Sequence, residues 1–206
     1  MHSLSKKVFF ANYTFHVSES VYEPAEDSFL FAENLKVPDG ASIVDMGTGC
    51  GILGIIAAEN ASKVVAVDIN PHAVRCAKKN AKLNNVENKM FFLRGDLFTP
   101  IKPGEKFDLI LFNAPYLPSE PLVGKSWLEQ AWTGGVNGRE LIDRFINEVP
   151  QYLEKNGCAL LMQSSLSNVD ETLRKFEKNG LKAVIIAKQD VPFFETIVLV
   201  KAQSQT

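Results

Sequence analysis

The segment Phe107-Asp108-Leu109-Ile110-Leu111-Phe112-Asn113-Ala114-Pro115-Tyr116 ends an apolar run on an amide, a proline and an aromatic ring. Pro115 removes a backbone donor, fixes the chain and biases Ala114 toward extended geometry. Backbone carbonyls can then converge with the Asn113 side-chain oxygen on one point outside the turn. Acceptors so placed bind both hydrogens of a planar –NH2 group and leave its nitrogen aligned with an incoming methyl. Tyr116 can cover that planar group. Asn113, Ala114, Pro115 and Tyr116 are the expected catalytic set.

A second constellation is Val44-Asp45-Met46-Gly47-Thr48-Gly49-Cys50-Gly51. Its glycines let the backbone turn sharply and approach a ligand without Cβ clashes. A dinucleotide fingerprint asks for glycine at 47, 49 and 52, and position 52 is isoleucine. Asp45 is ill suited to a pyrophosphate and well suited to a cationic or amino-bearing ligand. The loop therefore reads against NAD and for a nucleoside without phosphates. Asp68 can accept both hydroxyls of a ribose, and Asp96, in Arg94-Gly95-Asp96-Leu97, can accept from an adenine amino group. Each acid alone fits an ordinary turn or helix cap. Together they follow strand-like runs on the C-terminal side of one sheet, where doubly wound folds bind ligands. The expected cofactor contacts are Asp45, Gly47, Thr48, Gly49, Gly51, Asp68, Ile69, Asp96, Leu97 and Asn113.

The elements that must hold these residues alternate in period. Ile43–Met46, Val64–Asp68, Lys89–Leu93, Phe107–Phe112, Cys158–Met162, Leu181–Ala187 and Phe194–Val200 are short β-branched or aromatic runs,. Ile52–Asn60, Pro71–Leu83, Glu140–Leu153 and Asn168–Asn179 read as helices, and another runs from Pro24 or Ala25 to about Lys36,. Continuously apolar strands alternating with helices predict an α/β fold with a doubly wound, mostly parallel sheet covered on both faces. Lys188–Phe193 is too short for a crossover helix, so the last two of the seven strands should pair antiparallel. The Pro- and Gly-rich stretch from Pro115 to Gly138 is the candidate substrate-facing lid.

The chain has 206 residues, enough for one domain, and the reading is a single domain over 1–206,. Its 22 Lys and Arg against 24 Asp and Glu announce no basic nucleic-acid-binding face,. Lys78, Lys79 and Lys82 read as a solvated helix face. Cys50, Cys76 and Cys158 lack any CxxC pair and read as small buried hydrophobes in a reducing compartment,. His2, His16 and His72 have no metal-ligand spacing, so no metal is expected in this chain. No apolar run reaches the length of a membrane span, and a cytoplasmic location is expected.

These features resemble the class I S-adenosylmethionine-dependent methyltransferases, over nearly the whole chain from Val21 through Val200. In that superfamily the glycine loop approaches the methionine end of the cofactor and the second-strand acid holds its ribose. The segment Asn113–Tyr116 looks like the Asn-Pro-Pro-Tyr motif of amino-group methyltransferases, which act on adenine N6, guanine N2 or the amide of glutamine. Ala114 stands where that motif has its first proline. It still supplies a carbonyl, and loss of the ring should loosen the loop and affect rate.

Two further segments resemble a narrower group, the archaeal and eukaryotic HemK-related proteins. These are Val21-Tyr22-Glu23-Pro24-Ala25-Glu26-Asp27-Ser28-Phe29 and Ala131-Trp132-Thr133-Gly134-Gly135-Val136-Asn137-Gly138-Arg139-Glu140. That group methylates the amide nitrogen (N5) of the glutamine in the Gly-Gly-Gln loop of class I translation release factors. The resemblance implies substrate contacts from Tyr22, Glu23, Pro24, Glu26, Asp27, Asn113, Pro115, Tyr116 and Trp132, with residues 1–38 helping to form the active site. It implies S-adenosyl-L-methionine as cofactor, S-adenosyl-L-homocysteine as product, and a small zinc-binding activator along the Lys89–Leu93 edge. The zinc would belong to the partner. Two other readings stay open: a nucleic-acid amino methyltransferase, and a non-catalytic scaffold that stabilises the small zinc protein.

Overall fold

A computed structural model describes residues 6–119, 126–192 and 195–204. An antiparallel hairpin of β1 (Lys6–Phe10) and β2 (Tyr13–Val17) comes first. Then follow α1 (Glu26–Glu33), β3 (Ser42–Met46), α2 (Ile52–Ala57), β4 (Lys63–Asp68), α3 (Pro71–Leu83), β5 (Met90–Arg94) and β6 (Phe107–Asn113). The second half holds α4 (Trp127–Gln130), α5 (Glu140–Glu148), β7 (Leu153–Ser164), α6 (Val169–Lys178), β8 (Leu181–Val191) and β9 (Glu195–Ser204). The main sheet has seven strands in the order β5-β4-β3-β6-β7-β9-β8. The first five are parallel, and β9 runs antiparallel to both β7 and β8.

Continuously apolar strands are needed here because each strand feeds two cores. Ile43, Leu109 and Leu111 face the layer with α1, α2 and the hairpin, while Val44, Ile110 and Phe112 face α5 and α6. The order reverses between β3 and β6, since β3 leads outward to β4 and β6 leads the other way to β7. Such a switch point opens a crevice beyond the C-terminal ends of the two strands. The loop at Gly47 and the turn at Asn113 lie at its two lips.

Several boundaries differ from the sequence expectation. Pro150 has no N–H to continue the ladder, so α5 stops at Glu148 and a 3-10 turn covers Val149–Gln151,. Leu153 instead opens β7, and the polar residues Glu154, Lys155 and Asn156 extend that strand at its N-terminal end. Gly157 allows the close approach there, because a Cβ would lie 2.7 Å from the Phe107 carbonyl oxygen. Helix α1 ends at Glu33 and α2 at Ala57, both short of the predicted ends. Strand β8 continues to Val191 and absorbs most of the expected connection. His2, Pro121, Gly124, Phe193 and Phe194 lie outside the described residues.

The N-terminal hairpin was not expected from sequence. It turns at Ala11, with φ +48, and buries Val8, Phe15 and Val17. Helix α3 holds it with side-chain amides. Asn80 Oδ1 accepts from the His16 N–H at 2.9 Å, and its Nδ2 donates to the His16 carbonyl at 2.9 Å. Asn84, one turn on, does the same for Thr14, at 3.1 and 2.9 Å. Each amide acts as a peptide group of a missing neighbouring strand. Among the described residues, no helix is long and apolar enough to cross a membrane.

Candidate active site

The glycine loop is braced from within. Gly47, Gly49 and Gly51 all have positive φ (+64, +57 and +91). At Gly51 a Cβ would also sit 3.0–3.1 Å from Ile55 and Ala77, so the loop packs directly on α2 and α3. Asp68 Oδ2 accepts from the Gly49 N–H at 2.9 Å, and its Oδ1 accepts from the Asn70 N–H at 2.9 Å. Asp45 is buried, and its Oδ2 accepts from the Thr48 hydroxyl and, at 3.0 Å, from the Gly54 N–H. Burial pushes the Asp45 carboxyl up to about 7 against the opposing pull of those two bonds,. Burial likewise raises Asp68.

The Asn113 turn is braced from outside. Asn113 Nδ2 donates to Asp27 Oδ2 at 3.1 Å and to Ser28 Oγ at 3.3 Å, both on α1. Asp27 is only 6% exposed. Its Oδ1 accepts from the Ser28 N–H at 2.6 Å, the Ser28 hydroxyl at 3.1 Å and the Tyr22 hydroxyl at 3.2 Å. Its Oδ2 also accepts from the Tyr116 hydroxyl at 3.4 Å. Burial first, and then the Asp27 charge, raise both phenols, so they remain donors,.

A carboxylate only accepts, so the nitrogen end of the Asn113 amide must face Asp27. Its oxygen is left buried without a hydrogen-bond partner among the described residues. A buried acceptor in that state is costly unless a ligand supplies the donor.

Between the two turns lies a cavity of about 280 Å³. It gathers Asp45, Gly47, Thr48, Gly49, Asp68, Ile69, Asp96, Leu97, Asn113, Pro115, Tyr22 and Pro24 from the sequence-predicted set. Gly51, Ala114, Tyr116 and Asp27 stand just behind its wall, the last two tied to it through hydrogen bonds. Glu26 is exposed on the first turn of α1 and is not among the residues that line this cavity. Glu23 is ion-paired to Lys6, and both Glu23 and Trp132 border a separate outer groove. Asp96, expected to serve an adenine, has Oδ2 engaged by Arg144 at 2.9 Å. Leu97 beside it is buried with φ +46, a strained setting for a leucine,.

The cavity also uses residues that the sequence reading missed. Ser28 could have been found from its place beside Asp27. Arg144 lies one helical turn beyond Glu140. Trp127 comes from the short helix α4, whose Ser126 capping box was a readable signal,. The segment Ala131–Glu140 divides its work. Ala131 and Thr133 line the cavity, whereas Arg139 is buried and donates to Ser167, Asn168, Thr172 and Asp143.

The donor set fits a nucleoside without phosphates. Among the described lining residues there is no lysine, and the single arginine, Arg144, is matched by Asp96. Asp68 can hold ribose hydroxyls, and Ile69, Leu97 and Leu141 form an apolar slot for a base. The uncapped Asn113 oxygen marks the other end.

This sheet order, glycine loop and strand-end amide define a class I methyltransferase. The family model of ribosomal protein L11 methyltransferase (PrmA) matches residues 28–115, the span from Ser28 to Pro115. A Methanocaldococcus jannaschii protein named as a protein N5-glutamine methyltransferase is 48% identical over 181 residues, covering 87% of this chain and 90% of that one. Human methyltransferase HEMK2 is 35% identical over 173 residues, 79% of this chain and 80% of its own. The release factor glutamine methyltransferase of Aquifex aeolicus is 31% identical over 158 residues, 71% of this chain and 56% of its own. Among solved structures, the E. cuniculi Mtq2-Trm112 complex superposes with TM-score 0.69 at 23% identity, over 90% of this chain and 99% of that one. The chain belongs to the HemK-related protein N5-glutamine methyltransferases.

Proposed function

We propose that this protein transfers a methyl group from S-adenosylmethionine to the side-chain amide nitrogen of a glutamine, in the Gly-Gly-Gln loop of a class I translation release factor. The relatives' names support the substrate class. The observation that carries the chemistry is the buried, unpartnered Oδ1 of Asn113, held in that orientation by Asp27 and Ser28.

Asp68 would hold the ribose hydroxyls of the cofactor, with Asp45, Gly47, Thr48, Gly49 and Gly51 around its methionine end and Ile69, Asp96 and Leu97 around its base. Bound there, S-adenosylmethionine would supply an electrophilic sulfonium methyl, with S-adenosylhomocysteine as the product. An amide nitrogen is a weak nucleophile because its lone pair is delocalised into the carbonyl. Asn113 Oδ1 and the Ala114 carbonyl accept its two N–H groups and favour positive charge as it develops on nitrogen. Pro115 fixes the turn, while Tyr116, anchored on Asp27, walls the acceptor site. Tyr22 and Pro24 close the same end, and burial excludes water. The lining residues include no lysine or histidine, and the proton leaves to water once the nitrogen is cationic.

The chain would work as one methyltransferase domain, with the segment ahead of β3, described from Lys6 onward, completing the substrate side of the site. As an enzyme acting on a translation release factor, it would work in the cytoplasm. A small zinc-binding activator would cover β5, the sheet edge, and carry the zinc itself. The support on this chain is Phe91, 54% exposed at that edge. Met90, on the same strand, is buried with its methyl against Gly54 of α2 and takes no part.

Labelled-methyl transfer to a purified class I release factor, with RNA and DNA run alongside, tests the reading. Mass spectrometry should place one methyl group on the glutamine of the Gly-Gly-Gln loop. Label in nucleic acid and none in the protein would overturn it.

A further inference from the structure

Outside the cavity lies a second groove, of about 500 Å³, whose floor and walls come from Val17, Val21, Tyr22, Leu128 and Trp132. Val21 and Tyr22 line both spaces, so groove and cavity share one wall. The far wall is tied to the continuation of the Asn113 turn. The Leu117 N–H donates to the Trp132 carbonyl at 2.9 Å, and the Gly134 N–H donates to the Leu117 carbonyl at 2.9 Å. Trp132, 38% exposed, is thus a large aromatic held at a fixed distance from the acceptor site.

The charges on its rim are unequal. Lys6 neutralises Glu23, whereas Glu19 is exposed and in no ion pair among the described residues. The groove is therefore apolar at its centre with one uncompensated negative charge at its edge.

The geometry points to this groove as the docking channel for the polypeptide on one side of the methylated glutamine. It takes an extended segment that carries one large apolar side chain and a neighbouring basic one. The inference rests on the function proposed above and adds the path of the substrate chain. A glutamine whose amide reaches Asn113 leaves its own backbone at the cavity mouth beside Tyr22. The chain must leave along a surface there, and the groove begins on the other side of that ring. The apolar side chain fills the space between Val17, Leu128 and Trp132, where desolvated aromatic and aliphatic contacts give most of the binding energy. The basic side chain sits near Glu19, where a rim charge acts mainly on encounter and is weakened by salt.

Two variants outside the cavity test this, Leu128→Ser and Glu19→Lys, with the intact release factor as substrate. Leu128→Ser should raise KM by about 10-fold and Glu19→Lys by about 3-fold, with kcat and cofactor affinity held within about twofold of the parent. The Glu19→Lys effect should shrink as ionic strength rises. Unchanged KM in both variants, with the parent enzyme active on the same release factor, would overturn the channel and leave the proposed reaction intact. A parent enzyme inactive on the release factor would strike the reaction itself.

Discussion

The turns that close β3 and β6 sit side by side at the same end of the sheet, yet they are stabilised in opposite ways. In the glycine loop, Asp45 and Asp68 accept from Thr48, Gly49, Gly54 and Asn70, all within nineteen residues of chain or fewer. The Asn113 turn is oriented by Asp27 and Ser28, 86 and 85 residues away in sequence, and keeps one acceptor unfilled. A glycine loop can be braced by acids of its own βαβ unit. An acceptor that must stay free for a substrate needs an outside element to hold its other end.

Asn113→Ala is the sharpest way to break that contrast. Turnover should fall roughly 100-fold or more with cofactor affinity nearly intact, since the lost acceptor acts chiefly in the transition state. Calorimetry beside radiolabel transfer separates the two quantities, and equal losses would remove Asn113 from the chemistry.

Asp27→Asn probes the brace behind it. An amide at 27 can donate as well as accept, so it no longer forces Asn113 to present its oxygen. Turnover should drop about 10- to 50-fold in kcat, without a matching loss of cofactor affinity. On the other side, Asp68→Ala should weaken cofactor binding about 10-fold, because it removes the ribose acceptor and the support of Gly49 together. Unchanged affinity by calorimetry would sink that role.

The remaining effect is read in stability instead of activity, as a pH dependence. The Asp45 carboxyl rises from an ordinary 3.8 to about 7 in the folded chain. Between those values the folded state holds a proton that the unfolded state has released, so this group's contribution declines as pH increases. The decline is confined to that window and stops above it. Asp45→Asn keeps an acceptor for Thr48 and Gly54 but cannot titrate. Denaturant melts at pH 5 and pH 8 should show a smaller difference for the variant than for the parent.

The same contrast separates what could be read from sequence. The alternation of strands and helices, the parallel order and the terminal antiparallel pair follow from local period and connection length, and the observed sheet has that form. The two turns were legible as well, because glycine spacing and the Asn–Ala–Pro–Tyr order are contiguous. The link between them was not. Asp27 is expected from the resemblance as a substrate contact and Ser28 carries no expectation of its own; only the packed sheet brings α1 under Asn113. Arg144 was silent because its partner Asp96 lies 48 residues away. The hairpin escaped because its turn has no glycine and its outer partner is a pair of asparagines on a helix. Trp132, expected as a substrate contact, stands beyond Tyr22 in the outer groove, outside the cavity but on the path proposed for the substrate chain.

Helix α3 touches both ends of this arrangement. At its start, Asn70 caps it, donates to the Ser20 carbonyl at 2.7 Å and gives its own N–H to Asp68. Further along, Asn80 and Asn84 clasp β2, the strand that runs on toward Tyr22 and Asp27. The helix is thus a strut of three amides between Asp68 and the segment that carries Tyr22 and Asp27, so the glycine loop and the N-terminal hairpin share one support.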